Sequence, residues 1–161
     1  DPDCDRVGIA VPNNGEYNLL TGNDVGVLLL NYMLSVKTEL GSLPKNPIAV
    51  KTIVTSELCQ KIADEYGCEL INVLTGFKFI GEQIRWFEEQ NTYNYVFGLE
   101  ESYGCLAGTH ARDKDAVVAT MDKERFVNKY DEWNDRTVFK LTANRRYIVD
   151  PSENAILYLN A

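Results

Sequence analysis

The amino-terminal stretch DPDCDR sets aspartates at positions 1, 3 and 5. In an extended segment alternate residues point the same way, so Asp1, Asp3 and Asp5 crowd one side, and a tight loop gathers them further. Like charges at that spacing repel. A hard divalent cation such as Mg²⁺ or Ca²⁺ relieves the repulsion, because oxygen ligands suit it and its charge reverses the local electrostatics. The other reading of the same residues is a solvated acidic end that holds nothing. An EF-hand is excluded: Arg6 stands where its loop needs glycine, and Pro12 where it needs the bidentate glutamate.

The elements that must position such a loop follow from periodicity. VGIAV reads as a short buried strand, followed by a turn at PNNGE. NDVGVLLLNYMLSVKTEL has helical length, with Asn23 or Asp24 as its cap. PIAVKTIV is a second strand, and Ser56 is placed to cap SELCQKIADEY, whose Leu58, Ile62 and Ala63 share a face. CELINVL is a third strand. After Thr75-Gly76, FKFIGEQIRWFEEQ returns to helical spacing through Phe77, Ile80, Ile84 and Phe87, and YNYVFGL is a fourth strand. Strands alternating with helices at these lengths imply a three-layer α/β/α domain with a mostly parallel four-stranded sheet, its ligands gathering beyond the strands' carboxyl ends.

The totals set bounds on function. With 161 residues and 45% apolar content the chain suits one compact domain with room for an appendage. Its 24 acidic against 16 basic residues give a net charge of −8, which disfavours nucleic acid and anionic membrane surfaces as partners. Cys4, Cys59, Cys68 and Cys105 are scattered, so neither a zinc site nor a dense disulfide framework is expected; reduced thiols in a cytoplasmic protein are. No signal peptide or membrane-length apolar run is present. The sequence lacks an initiator methionine and begins inside what reads as a loop, as expected of a piece excised from a longer protein.

The most specific stretch is FGLEESYGCLAGTHARDKDAVVAT, which closely resembles the sugar-recognition loop of the α-D-phosphohexomutases, the phosphoglucomutase and phosphomannomutase superfamily. DPDCDR resembles that family's metal loop, and TGFKFIGE a further substrate loop, nearest to the phosphoglucomutase side. With KTIVTSEL between them, these matches fall in family order over about residues 1–121. The resemblance implies an isomerase in which Mg²⁺ is held by Asp1, Asp3 and Asp5 together with a phosphoserine from another domain. That phosphoserine gives its phosphoryl group to a hexose monophosphate, and is rephosphorylated from the other oxygen after the bisphosphate turns over. Phosphoryl transfer rests on alignment and neutralisation of oxygen charge, which suits these residue types.

The same resemblance implies that Glu100 and Ser102 grip the sugar hydroxyls. Glu100 and Glu101 offer acceptor oxygens and Ser102 both a donor and an acceptor, as adjacent hydroxyls require. Gly104 keeps that loop narrow, and Thr75 and Gly76 expose backbone groups to the sugar. By the same resemblance Arg6 matches the basic position beside the metal loop, and His110 and Lys114 would lie beside the reacting oxygen with Arg112 nearby. As a proton carrier Lys114 needs a pKa well below the usual ~10.4, to be supplied by crowding from His110, Arg112 and Mg²⁺. Against these roles stand plainer ones, a solvated surface lysine and a structural histidine.

Two parts of the family pattern are missing: the phosphoserine loop, and the phosphate-binding domain. Residues 122–161 form instead a charged, aromatic extension in which VFKL, RYIV and AILYL suggest short antiparallel strands. Its DPSEN resembles the family's last phosphate loop but lacks that loop's arginine and glycine. The expectation is a sugar-binding domain with its metal loop, inactive by itself, whose partners are a glucose 1- or 6-phosphate and the missing domains. The alternative is a noncatalytic sugar-phosphate-binding module. A D-x-D hydrolase is disfavoured, since no buried strand precedes Asp1.

Overall fold

The computed structural model describes residues 2–13 and 16–119, with the backbone of three further strands between 139 and 160. Its centre is a four-stranded sheet of β3 (Pro47–Thr52), β4 (Glu69–Val73), β5 (Asn94–Leu99) and β6 (Cys105–Ala107), in the order β4-β3-β5-β6. β4 and β5 run parallel to β3, and β6 runs antiparallel to β5. β3 is buried along its whole length, as a central parallel strand covered on both faces must be.

Helices α1 (Gly22–Glu39) and α2 (Leu58–Glu65) cover one face and α3 (Phe77–Gln90) the other. Successive β3 residues alternate between the two layers: Ile48 and Val50 join Ile80, Ile84 and Phe87 of α3, whereas Ala49 joins Leu30, Leu34, Ile62 and Ala63 of α1 and α2. Each fully buried aliphatic side chain of this kind contributes about 1.5–3 kcal/mol. The i, i+3, i+4, i+7 spacing of Phe77, Ile80, Gly81 and Ile84 turns one side of α3 inward.

α1 is capped by Thr21, whose hydroxyl accepts from the Asp24 amide at 3.2 Å while the Asp24 carboxylate accepts from the Thr21 amide at 3.0 Å. Asn23 is used elsewhere: its Oδ1 accepts from the Ser56 amide at 2.8 Å and ties the loop after β3 to α1. Ser56 Oγ in turn accepts from the Leu58 amide at 3.3 Å, although the residue flanking α2 is Glu57.

One expected strand differs. VGIAV does not enter the main sheet; β1 (Ala10–Asn13) pairs with β2 (Glu16–Leu19) in a separate antiparallel hairpin. Val7 and Ile9 pack against the α1 side of the core, which satisfies the apolar run without sheet membership. The fourth place in the sheet belongs to β6. The amino-terminal segment meets the sheet's edge at an Arg6–Gly104 bridge and through the Val7 amide, which donates to the Tyr103 carbonyl at 3.3 Å.

In the extension, β7 (Phe139–Thr142), β8 (Arg145–Val149) and β9 (Leu157–Asn160) form a three-stranded antiparallel sheet. The DPSEN turn expected at 150–154 lies outside the described residues. Among the described residues no helix is long and apolar enough to cross a membrane.

Candidate functional site

At the carboxyl ends of the parallel strands three loops converge, formed by residues 53–57 after β3, 74–76 after β4 and 100–104 after β5. The last folds back on itself: the Glu100 amide donates to the Gly104 carbonyl at 2.9 Å, and β6 starts at once. Tyr103, at the tip, holds a left-handed backbone with φ +69°. The buried Glu100 accepts the Ser102 hydroxyl proton at 2.7 Å on Oε1. With its one proton spent there, the Ser102 hydroxyl is left with lone pairs that can only accept.

The amino-terminal loop lies against this hairpin. Cys4, at φ +56°, bends it, and its carbonyl accepts from the Ala116 amide at 3.1 Å. Asp3 is exposed and Asp5 half-buried. Lys114 joins the two loops: its Nζ lies 3.1 Å from Asp5 Oδ2, 3.0 Å from Asp113 Oδ1 and 5.6 Å from the centre of the Phe77 ring. Its stem crosses Gly104 so closely that any β-carbon there would overlap it. Gly104 is therefore required for the approach of the lysine, which is more than the narrow loop expected of it. Phe77 opens α3 directly after Thr75, which is exposed, and Gly76.

Asp5, Arg6, Glu100, Ser102 and Lys114 are thus brought together. His110 and Arg112 are directed elsewhere. His110 Nε2 lies 2.9 Å from Asp115 Oδ2. The Arg112 guanidinium donates to the Thr109 and Ala111 carbonyls and pairs with Glu88, about 16 Å along α3 from Phe77 at 1.5 Å per residue.

This arrangement alters the electrostatics expected of Lys114. Burial disfavours its ammonium, but hydrogen bonds to Asp113 and Asp5 outweigh that and hold its pKa above the ordinary value. Its near neighbours are carboxylates and not the cations that would lower it. In return the Lys114 hydrogen bond keeps the Asp5 carboxyl below its usual range.

Whether a cation suits the amino-terminal loop can be judged from its oxygens. Asp1 lies outside the described residues, and among those described no three His, Cys, Asp or Glu side chains gather to hold a metal ion. Asp5 Oδ1, however, is buried without a hydrogen bond, the Arg6 Nε standing 3.4 Å away. A buried carboxylate oxygen with no hydrogen-bond donor is the kind of ligand atom that a hard cation of the Mg²⁺ class takes.

Residues 21–132 match the family model described as phosphoglucomutase/phosphomannomutase, alpha/beta/alpha domain III. The chain belongs to this family. A phosphoglucomutase of Staphylococcus aureus (strain USA300) is 42% identical to this phosphohexomutase domain over 118 residues, which are 73% of the chain and 20% of the relative. The phosphoglucomutase of strain N315 is 41% identical over the same length. The chain spans about a fifth of the length of these curated relatives. In fold it is similar to the open form of parafusin, a phosphoglucomutase from Paramecium, with a TM-score of 0.53 and 24% identity over 89% of this chain and 22% of that one. It is similar also to a phosphomannomutase-type protein from Thermus thermophilus, with a TM-score of 0.52 and 20% identity over 99% of this chain and 37% of that one.

Within this family framework, three residues outside the expected set prove central to the loops. Lys51 and Thr52 end β3 fully buried, and Thr52 Oγ1 donates to Glu101 Oε2 at 2.8 Å. Their signal in the sequence is a lysine inside an apolar strand, PIAVKTIV. The third is Asp115, partner of His110 and acceptor from the Val118 amide at 3.0 Å, legible as an acid just before the apolar run AVVA.

Proposed function

We propose that the chain is the sugar-recognition domain, with its metal loop, of a phosphoglucomutase-like isomerase that interconverts hexose 1-phosphate and hexose 6-phosphate. Phosphoryl transfer proceeds through a phosphoserine located outside this chain. In this reading residues 1–121 form the catalytic-family unit and 122–161 an extension. The observation that carries it is the convergence of Asp5 from the metal loop and Glu100–Gly104 from the sugar loop on the single side chain Lys114.

Each residue has a stated task. Glu100 and Ser102 read adjacent sugar hydroxyls, one as acceptor and the other through its remaining lone pairs, with Thr75 and Gly76 lining the same mouth. Glu101 supports that loop from the sheet side. Lys114 stands beside the reacting oxygen as a positive charge, and Arg6 adds a second. His110 and Arg112 reach the ligand only by leaving Asp115 and Glu88. Asp1, Asp3 and Asp5 would hold Mg²⁺, which when bound supplies charge neutralisation to phosphate oxygens. None of the four cysteines is joined in a disulfide, in keeping with a reducing, cytoplasmic setting.

Two measurements test this on the purified chain. A coupled assay of glucose 1-phosphate conversion should show no turnover without the phosphoserine domain; robust turnover overturns the reading. Titration calorimetry with glucose 6-phosphate should show binding that Glu100→Ala and Ser102→Ala each weaken by roughly tenfold or more, the worth of a hydrogen bond to a charged group. Binding indifferent to both variants removes the loop as the recognition element.

A further inference from the structure

Lys51 is a charged side chain with no solvent exposure, in the middle layer of the molecule. On β3 it shares a side with Ala49, toward α1 and α2. A buried ammonium is costly unless its protons are taken up. Here Nζ donates to the Thr55 carbonyl at 3.0 Å, to Glu57 Oε1 at 3.0 Å and to the Thr52 carbonyl at 3.5 Å. Thr52 ends β3 and the other two acceptors belong to the loop that leaves it, so the ammonium gathers that loop around the strand's end.

The loop then reaches the acidic hairpin through two hydroxyls. Thr52 Oγ1 donates its only proton to Glu101 Oε2, so its 2.7 Å contact with Thr55 Oγ1 must run from the Thr55 hydroxyl. Both threonines are buried, and a directed chain of this kind strengthens each of its bonds. Glu101 is held from the other side as well. The start of α1 packs on its backbone so tightly that a β-carbon at Gly22 would overlap the Glu101 carbonyl. Glu101 therefore has its side chain fixed by β3 and its main chain fixed by α1.

We infer that Lys51 and Thr52 are positioning residues for the acidic hairpin: they fix Glu101, and thereby aim the adjoining Glu100–Ser102 pair at the ligand. The ligand half of this statement rests on the sugar-recognition reading above; the coupling of Lys51 to the hairpin does not. In this role Glu101 serves as the anchor of the loop, and the contact with sugar is left to its neighbours.

The test compares Thr52→Val, Thr52→Ser and Lys51→Met in the full chain by amide chemical shifts, amide hydrogen exchange and calorimetry with glucose 6-phosphate. T52V keeps shape and removes the proton donor; it should shift the amides of residues 101–104 and speed their exchange roughly tenfold, with affinity falling by a similar factor. T52S should restore both. K51M should shift the amides of residues 52–57 and, through them, the same hairpin. Unchanged hairpin amides in T52V, no recovery in T52S, or exchange that rises evenly throughout the protein would each overturn the inference. So would a K51M effect confined to residues 52–57. A K51M chain that fails to fold counts against Lys51 as a local device, and the Thr52 pair then tests the hydroxyl relay by itself. If the wild type binds no glucose 6-phosphate while the amide results appear as expected, the sugar reading fails and the positioning stands.

Discussion

Lys114 Nζ lies 3.1 Å from Asp5 Oδ2, so the ammonium occupies an oxygen that the metal loop would offer to a cation. Two positive groups compete for one carboxylate. Replacing the lysine with a neutral residue should therefore free Asp5 and raise Mg²⁺ affinity. Lys114→Gln is expected to tighten Mg²⁺ binding several-fold, read by calorimetry at low ionic strength where exposed charges are least screened. Weaker binding in the variant would mean that lysine and metal act side by side.

Gly104 has no room for a side chain, because the Lys114 stem and Glu100 Oε1 lie where a β-carbon would go. The stem is flexible, so it can move aside, but only by giving up Asp5 or Phe77. Gly104→Ala should cost about 1–3 kcal/mol, the usual range for forcing extra atoms into a packed site. Thermal denaturation measures that cost, and calorimetry with glucose 6-phosphate should show a larger loss than stability alone accounts for.

Asp115 joins local stability to pH. Burial raises its pKa, but the hydrogen bond with His110 and the amides of Val118 and Val117 outweigh burial, so the folded value falls below 3.8. A carboxyl depressed on folding stabilises the protein above its unfolded pKa and loses that contribution as pH falls through the folded one. Melting temperature should thus drop below about pH 4 in the wild type. Asp115→Asn, which keeps an acceptor oxygen for the Val118 amide and removes the charge, should flatten that drop. Asp115→Ala should in addition cost ~1 kcal/mol at neutral pH as that acceptor is lost. An unaltered acid limb in the asparagine variant would remove this residue from the account.

The cysteines offer a check on the core. Cys4 is exposed, whereas Cys59, Cys68 and Cys105 are buried. Burial pushes the Cys59 and Cys68 thiols up to about 12, so little thiolate exists at either. A thiol reagent at pH 8 should label one site quickly and the remaining three only after denaturation. Rapid labelling of more than one in the native protein would contradict the packing of α2 or of β6.

The layers were largely legible in the sequence, and the reasons are physical. α3 begins and ends where its spacing of Phe77, Ile80, Ile84 and Phe87 places it, because a one-sided apolar stripe has a single way to be buried. β3 and β5 read as strands because both are short apolar runs bounded by turns. β6 was not legible. Three residues are too few to display alternation, and Cys105–Ala107 sit in a stretch that reads as loop. VGIAV misled for the opposite reason: apolar content measures burial, and Val7 and Ile9 are covered by packing and not by strand pairing.

The site divided in a similar way. The motif that sets Glu100 and Ser102 two positions apart was legible, and a tight hairpin brings their side chains into contact. The bond from Arg112 to Glu88 escaped prediction because that partner lies 24 positions away on another element. Lys51 did so because a lysine in a strand normally marks the surface, and only three-dimensional placement shows that its protons are all taken up.

Beside the Lys114–Asp5 ion pair, the amino-terminal segment is sewn to the hairpin and to the residues that follow it by main-chain atoms: the Arg6–Gly104 bridge, the Val7 amide to Tyr103, and the Ala116 amide to Cys4. Stitches of that sort ask almost nothing of the side chains at their ends. Mutation can therefore recolour the lip of the cleft, at Arg6 or Tyr103 for example, without loosening the fabric beneath it. Under the proposed function, such a border would let one scaffold try new sugars cheaply in the course of evolution.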